Sequence, residues 1–139
     1  MSDPMQNALR AASMGMAAQS ARMRVVSENL ANANSTGSSP GADPYARKTI
    51  SFSTMVDDQS GIDGVTVDRI DVDHTPFATE YSPGHPAADD KGYVKRPNVN
   101  PMVELADIRE ANRSYQANLQ VIRQVREAVS MTIDLLRNT

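Results

Sequence analysis

Two apolar stripes at helical spacing, one at each end of the 139-residue chain, constrain its fold more than any other feature. Met5, Leu9, Ala12, Met16, Gln19, Met23, Val26, Leu30 and Ala33 follow one another at alternating intervals of four and three residues. Leu105, Ile108, Asn112, Tyr115, Leu119, Ile122, Arg126, Val129, Ile133 and Leu136 repeat the pattern. Such intervals keep side chains on one face of an α-helix, and their alternation is the heptad seam of a coiled coil. Both stripes open on helix-start chemistry. Asp3-Pro4 is followed by Gln6 at the capping-box position, and Asn100-Pro101 by Glu104 and Asp107, which suit the positive end of the helix dipole. The breaker run from Ser35 to Gly41 ends the first helix near Asn34. At 1.5 Å per residue a helix over 4–34 spans ~46 Å and one over 101–138 ~57 Å. A compact chain of this size has a radius of gyration of ~14 Å, too small to hide either. The spacing therefore predicts an elongated molecule whose terminal helices pair along their seams.

Residues 35–100 differ in kind. They carry five of the six aromatics (Tyr45, Phe52, Phe77, Tyr81, Tyr93) and a net charge of −4, from 6 basic and 10 acidic residues. Ile50 and Phe52 alternate with serines, as in a half-buried strand. Gly61-Ile62-Asp63-Gly64 is a turn signal; Val65/Val67 and Ile70/Val72 then alternate in two registers, so a bulge is expected at Asp68-Arg69. Ser82-Pro83-Gly84 marks a tight turn, and Tyr93-Val94 a further short strand. The expected fold class is mainly α with a small β-rich insertion. An N-terminal coiled-coil helix covers 1–34, a β-rich insertion with turns 35–100, and a C-terminal coiled-coil helix 101–139.

Composition agrees with that shape. Leu, Ile, Val and Phe reach only 26 of 139 residues, and Ala and Met supply much of the 40% hydrophobic content. A core of Ala and Met buries little area, so at roughly 25 cal/mol per Å² the isolated chain should be marginal and lean on partners. With no Cys, disulfides and thiolate zinc sites are excluded. A net charge of −3 argues against non-specific nucleic-acid binding. The stretch after Arg10, Ala11 to Ala18, is a poor signal-peptide core because it lacks Leu, Ile, Val and Phe. No window approaches the 18 apolar residues of a membrane span, so no direct membrane insertion is expected.

Each candidate site also has a simpler role. His74 and His85, with Asp71, Asp73, Asp89 and Asp90, fit neither zinc nor EF-hand spacing, and His85 in Pro83-Gly84-His85-Pro86 suits a rigid turn. Ser82, His85 and Asp89 form the one conceivable nucleophilic set, without a nucleophile elbow or a second loop for an oxyanion hole. No catalytic, cofactor or metal site is expected, and the chain is not expected to be an enzyme. Gln19, Asn112 and Arg126 are polar residues in seam positions, where they can fix register and partner choice. Ala8, Ala11, Gly15 and Ala18 form a small-residue face beside the first seam, suited to a third helix. A coiled-coil adaptor that never polymerises and a small hydrolase using the 74–90 loop remain alternatives.

Four stretches bring a family into view. The first is Glu28-Asn29-Leu30-Ala31-Asn32-Ala33-Asn34-Ser35. The second and third are Tyr81-Ser82-Pro83-Gly84-His85-Pro86-Ala87-Ala88-Asp89 and Gly92-Tyr93-Val94-Lys95-Arg96-Pro97-Asn98-Val99-Asn100. The fourth runs from Glu104 to Asp107 and continues into Arg113-Ser114-Tyr115-Gln116-Ala117-Asn118. The chain resembles the bacterial flagellar axial proteins of the rod and hook over nearly its whole length; only 53–62 lacks an anchor. The resemblance implies a structural subunit of the proximal rod with no chemistry. Such a subunit is exported by the flagellar type III apparatus without a cleaved signal peptide, and polymerises through its terminal helices into the periplasm-spanning drive shaft. It also implies partners: copies of the chain itself and the rod proteins FlgB, FlgF, FlgG and FliE. The family motif then comprises Glu28, Asn29, Leu30, Ala31, Asn32, Asn34, Pro83, Gly84, His85, Pro86, Tyr93, Ser114, Tyr115, Gln116 and Asn118.

Overall fold

A computed structural model describes residues 4–57 and 61–137. The order is α1 (Pro4–Ala31), β1 (Lys48–Asp57), β2 (Ile62–Val72), β3 (Ala78–Tyr81), β4 (Tyr93–Arg96) and α2 (Pro101–Arg137). This is a mainly helical chain with two long terminal helices and small antiparallel sheets between them. The helices run antiparallel, because contacts that advance along α2 retreat along α1. Asn29 bonds Glu104, Arg22 pairs with Asp107, and Gly15 lies against Asn118. Continuing from Gly15 back to Pro4 and from Asn118 forward by the same count places Pro4 beside Val129. Residues 130–137 therefore project past Pro4, and all are exposed.

The fully buried apolar residues are small: Ala12, Ala18, Val25 and Val26 of α1, Ala111 of α2, and Ala87 and Val94 in the insertion. Small side chains let backbones approach closely. An added Cβ at Gly15 would stand 2.7 Å from Asn118 Nδ2, so this glycine sets the helix spacing there.

The β1–β2 hairpin packs on α1 and makes no packing contact with α2. Its register steps from Ser51↔Arg69 to Phe52↔Val67, leaving Asp68 unmatched at the expected bulge. The β3–β4 hairpin pairs Ala78↔Arg96 through Tyr81↔Tyr93, and the two tyrosine rings meet edge to face at 5.3 Å.

Several expectations need correction. The first helix stops at Ala31, not near Asn34. Asn32 Nδ2 donates to the Glu28 carbonyl and Ser35 Oγ to that of Asn32, so side chains close the end and residues 32–34 form a turn. Of the expected Gly61–Gly64 turn, residues 62–64 belong to β2 instead. Only Gly61, at φ +65°, has left-handed backbone, whereas Gly64 lies inside β2 with the Met14 sulfur across it. Among the described residues no third helix packs on the small-residue face: α2 takes Gly15, and the hairpin seats Val65, Thr66 and Val67 around Met14 and Ala18. β3 has no counterpart in the sequence reading, since all four of its residues are exposed and leave no alternation.

A buried polar junction and candidate assembly surfaces

Where α1 ends, α2 begins and the insertion returns, the packing changes from apolar to polar. Asn29 is 1% exposed and Glu104 0% exposed, the two most hidden polar residues described. Asn29 uses all its capacity. Its Nδ2 donates to the Lys48 carbonyl at 2.8 Å and to Glu104 Oε2 at 3.1 Å. Its Oδ1 accepts from Tyr45 Oη and the Lys48 amide, both at 2.8 Å. One side chain thus fastens α1 to the start of β1 and to α2.

Glu104 is held from the other side by Arg47, whose Nε donates to Oε1 at 2.5 Å. Arg47 also faces Asp73 at 3.7 Å, and its amide donates to Asn98 Oδ1 at 2.7 Å. Asn98 Nδ2 donates in turn to the carbonyls of Asp73 and Thr75. A buried carboxylate is tolerable only with such partners, because desolvating it unpaired costs several kcal/mol. Lys48 pairs with Glu28, and Arg22 with Asp107, on the junction's outer side. Below them an open cleft of ≈ 410 Å³ lies over Val25, Val26, Ile50 and Phe52.

The electrostatics follow from this arrangement. Burial, then the Glu28 and Glu104 carboxylates, push the Tyr45 hydroxyl up to about 12. The Thr75 hydroxyl and amide, with Arg47 beyond them, hold the Asp73 carboxyl below its usual range. The Tyr93 amide, then that of Lys91, does the same for Asp89.

The motif residues divide by role. Glu28, Asn29 and Asn32 bond as described, Leu30 is half-buried, and Ala31 and Asn34 are exposed. The 83–86 stretch is a turn in which His85 Nδ1 accepts the Ala87 amide at 3.0 Å. Asp89 Oδ1 is occupied by the amides of Lys91 and Tyr93, and no hydrogen bond among the described residues joins the side chains of Ser82, His85 and Asp89. Tyr93 stands exposed against Tyr81. Asn118 Nδ2 donates to the Ser114 carbonyl, Tyr115 is half-buried and Gln116 exposed. Among the described residues no cluster of three metal-ligating side chains exists, and no helix is long and apolar enough to cross a membrane.

The seam residues divide too. In α1, Val26 is buried, Leu9, Met16, Gln19, Met23 and Leu30 are half-buried, and Met5 is exposed. Gln19 Oε1 is buried without a hydrogen-bond partner. In α2 the face against α1 is Glu104, Ile108, Ala111, Tyr115, Asn118, Ile122 and Val125, with Leu119 at its margin. Leu105, Asn112, Arg126, Val129, Ile133 and Leu136 are exposed, so the expected stripe and the packed face share only Ile108, Tyr115, Leu119 and Ile122. The cause is Glu104: its bonds to Asn29 and Arg47 fix the rotation of α2 one residue away from the stripe. A strict heptad also drifts ~20° per repeat on a straight helix. Exposed apolar side chains consequently gather on α2, with Met102 at 73% and Met131 and Ile133 at 57%.

Comparison with known proteins places these features. Residues 9–37 match the family described as flagella basal body rod protein, and residues 90–135 that described as flagellar basal body rod FlgEFG protein C-terminal. The flagellar basal-body rod protein FlgC of Agrobacterium fabrum is 57% identical over 97% of both chains. The chain belongs to the FlgC family. FlgC of Salmonella typhimurium is 38% identical over 89% of this chain and 92% of its own. FlgC of Borreliella burgdorferi is 34% identical over 94% and 97%. In this FlgC-family chain the junction joins both matched segments: Asn29 lies in one, Asn98 and Glu104 in the other. Tyr45, Arg47 and Lys48 come from the stretch between.

Asn98 and Glu104 stand in stretches that carry the family resemblance, and Glu104 also suits the helix dipole, but nothing in their spacing points to Arg47 or Tyr45 as their neighbours. The one available signal was an Asn within the first stripe's helix, too near its end to be distinguished from a cap.

Proposed function

We propose that the chain is a structural subunit of the proximal flagellar rod, built into a tube through its terminal helices and transmitting motor torque. Its neighbours are copies of itself and other rod proteins, FlgB, FlgF, FlgG and FliE among them. It reaches the periplasm through the flagellar type III export apparatus and performs no chemistry. The observation that carries this reading is the match with a FlgC protein over 97% of the chain, together with rod-family matches at 9–37 and 90–135 that take in most of both terminal helices. Physical support comes from α2, whose outer apolar residues, Met102, Leu105, Val129 and Ile133 among them, are exposed. The seam residues exposed on it, Leu105, Val129, Ile133 and Leu136, are read as contacts to neighbouring subunits.

The test is fractionation of flagellated cells. The protein is expected in purified basal bodies together with other rod proteins, and removing its gene abolishes swimming. Protein confined to the cytosol of motile cells would overturn the reading and favour the non-polymerising adaptor.

A further inference from the structure

Charge is distributed unevenly over the two surfaces that flank α1. The hairpin, residues 48–72, carries two basic and five acidic residues, and Asp63 and Asp68 are exposed. The middle of α2, residues 108–128, carries four arginines against two glutamates. Arg109, Arg113, Arg123 and Arg126 are all exposed, and among the described residues none has a carboxylate within ion-pair distance. Asp63 and Asp68 likewise lack a cation. The hairpin packs on α1 and not on α2, so the two surfaces cannot neutralise each other within one chain.

We infer that these surfaces dock on each other between copies of this chain, the α2 arginines of one subunit receiving Asp63 and Asp68 of the next. Both halves of the complementarity lie on the same chain but on different elements. The contact is therefore heterologous, and repeating it gives a ring or a helical row rather than a closed twofold dimer. Exposed pairs add little affinity one by one, but a row of them selects register and rejects like-charged faces. This inference rests on the rod reading and names one lateral contact within it.

The test is charge reversal, read as the amount of protein in purified basal bodies. Arg109→Glu with Arg113→Glu and Arg123→Glu should lower incorporation at least tenfold, as should Asp63→Lys with Asp68→Lys. All five substitutions in one chain should restore incorporation to within twofold of wild type. Wild-type incorporation of either reversed chain overturns the contact, as does failure of the combined chain when its helical circular dichroism matches wild type. The absence of Cys permits a second measurement that does not depend on those variants folding. Copies bearing Arg113→Cys and copies bearing Asp68→Cys, co-expressed, should cross-link in basal bodies with a short bis-maleimide. Neither should do so alone. No mixed cross-link overturns the contact while leaving the rod reading intact; absence of the wild-type protein from basal bodies defeats the rod reading itself.

Discussion

Asn29 and Glu104, both buried, tie α1 to β1 and α2 through five side-chain hydrogen bonds. Truncating Asn29 to Ala strands the Lys48 amide and carbonyl, the Tyr45 hydroxyl and one Glu104 oxygen. Buried orphans cost about 1–3 kcal/mol each before relaxation, so Asn29→Ala should lose about 3 kcal/mol, read as a lower urea midpoint. Asn29→Asp should lose more, since it sets a second carboxylate beside the first. Tyr45 gives a pH signature. Its hydroxyl ionises near 10 when unfolded and about 12 when folded, so its stabilising contribution is complete below pH 10 and is lost as pH rises towards 12. Tyr45→Phe should flatten that alkaline decline in unfolding free energy, and the wild-type-minus-variant absorbance titration should show one tyrosine ionising late. The residues concerned were only partly legible in the sequence. Asn29 stood inside a recognisable motif, but Arg47 and Asn98 lie in irregular stretches, where no periodicity announces a partner 51 or 57 residues away.

The long helices could be read from sequence because 3.6-residue periodicity, caps and breakers agree within each segment. Asn100 does cap α2, its Oδ1 accepting the Met102 amide at 3.0 Å. The β1–β2 hairpin and its bulge showed through alternation, whereas the rotation of α2 did not, because one buried ion pair outweighs a stripe of half-covered aliphatics. Two substitutions probe the helix pair. Gly15→Leu must push Asn118 aside and separate the helices, with an expected loss of about 2–3 kcal/mol in chemical denaturation. Gln19→Leu removes the buried carbonyl that has no partner and should raise stability by about 1 kcal/mol. If Gln19 sets register in the assembled rod, the stabilised chain will incorporate less well than wild type.

Across the whole molecule, the proposed assembly contacts and the packing against α1 use different faces of α2, so stability and assembly should be separable. Stopping the chain after Val129 removes, among the described residues, only 130–137, all of them exposed. The truncated protein should keep the wild-type urea midpoint to within about 1 kcal/mol, since exposed positions contribute little, yet fail to enter basal bodies. Loss of both properties together would mean the overhang folds back as part of the monomer. The thin core noted from composition thus has a structural meaning. A few Ala and Val residues are buried where the helices approach closely, and many of the larger aliphatics of α2 are exposed, as the proposed rod role requires.

The junction also imposes an order of events. Its two most buried members are 75 residues apart, and its third strand of bonds comes from Arg47 between them. A chain delivered end first, from a ribosome or through a narrow pore, cannot close this clasp until Glu104 has emerged. Until then α1 holds only its own turns and the hairpin. Closing so long a loop is slow and brings no reward until the final contact forms. Delivery therefore finishes, apart from the rest of α2, before the fold locks, and a chain still in transit carries no completed structure to be pulled apart.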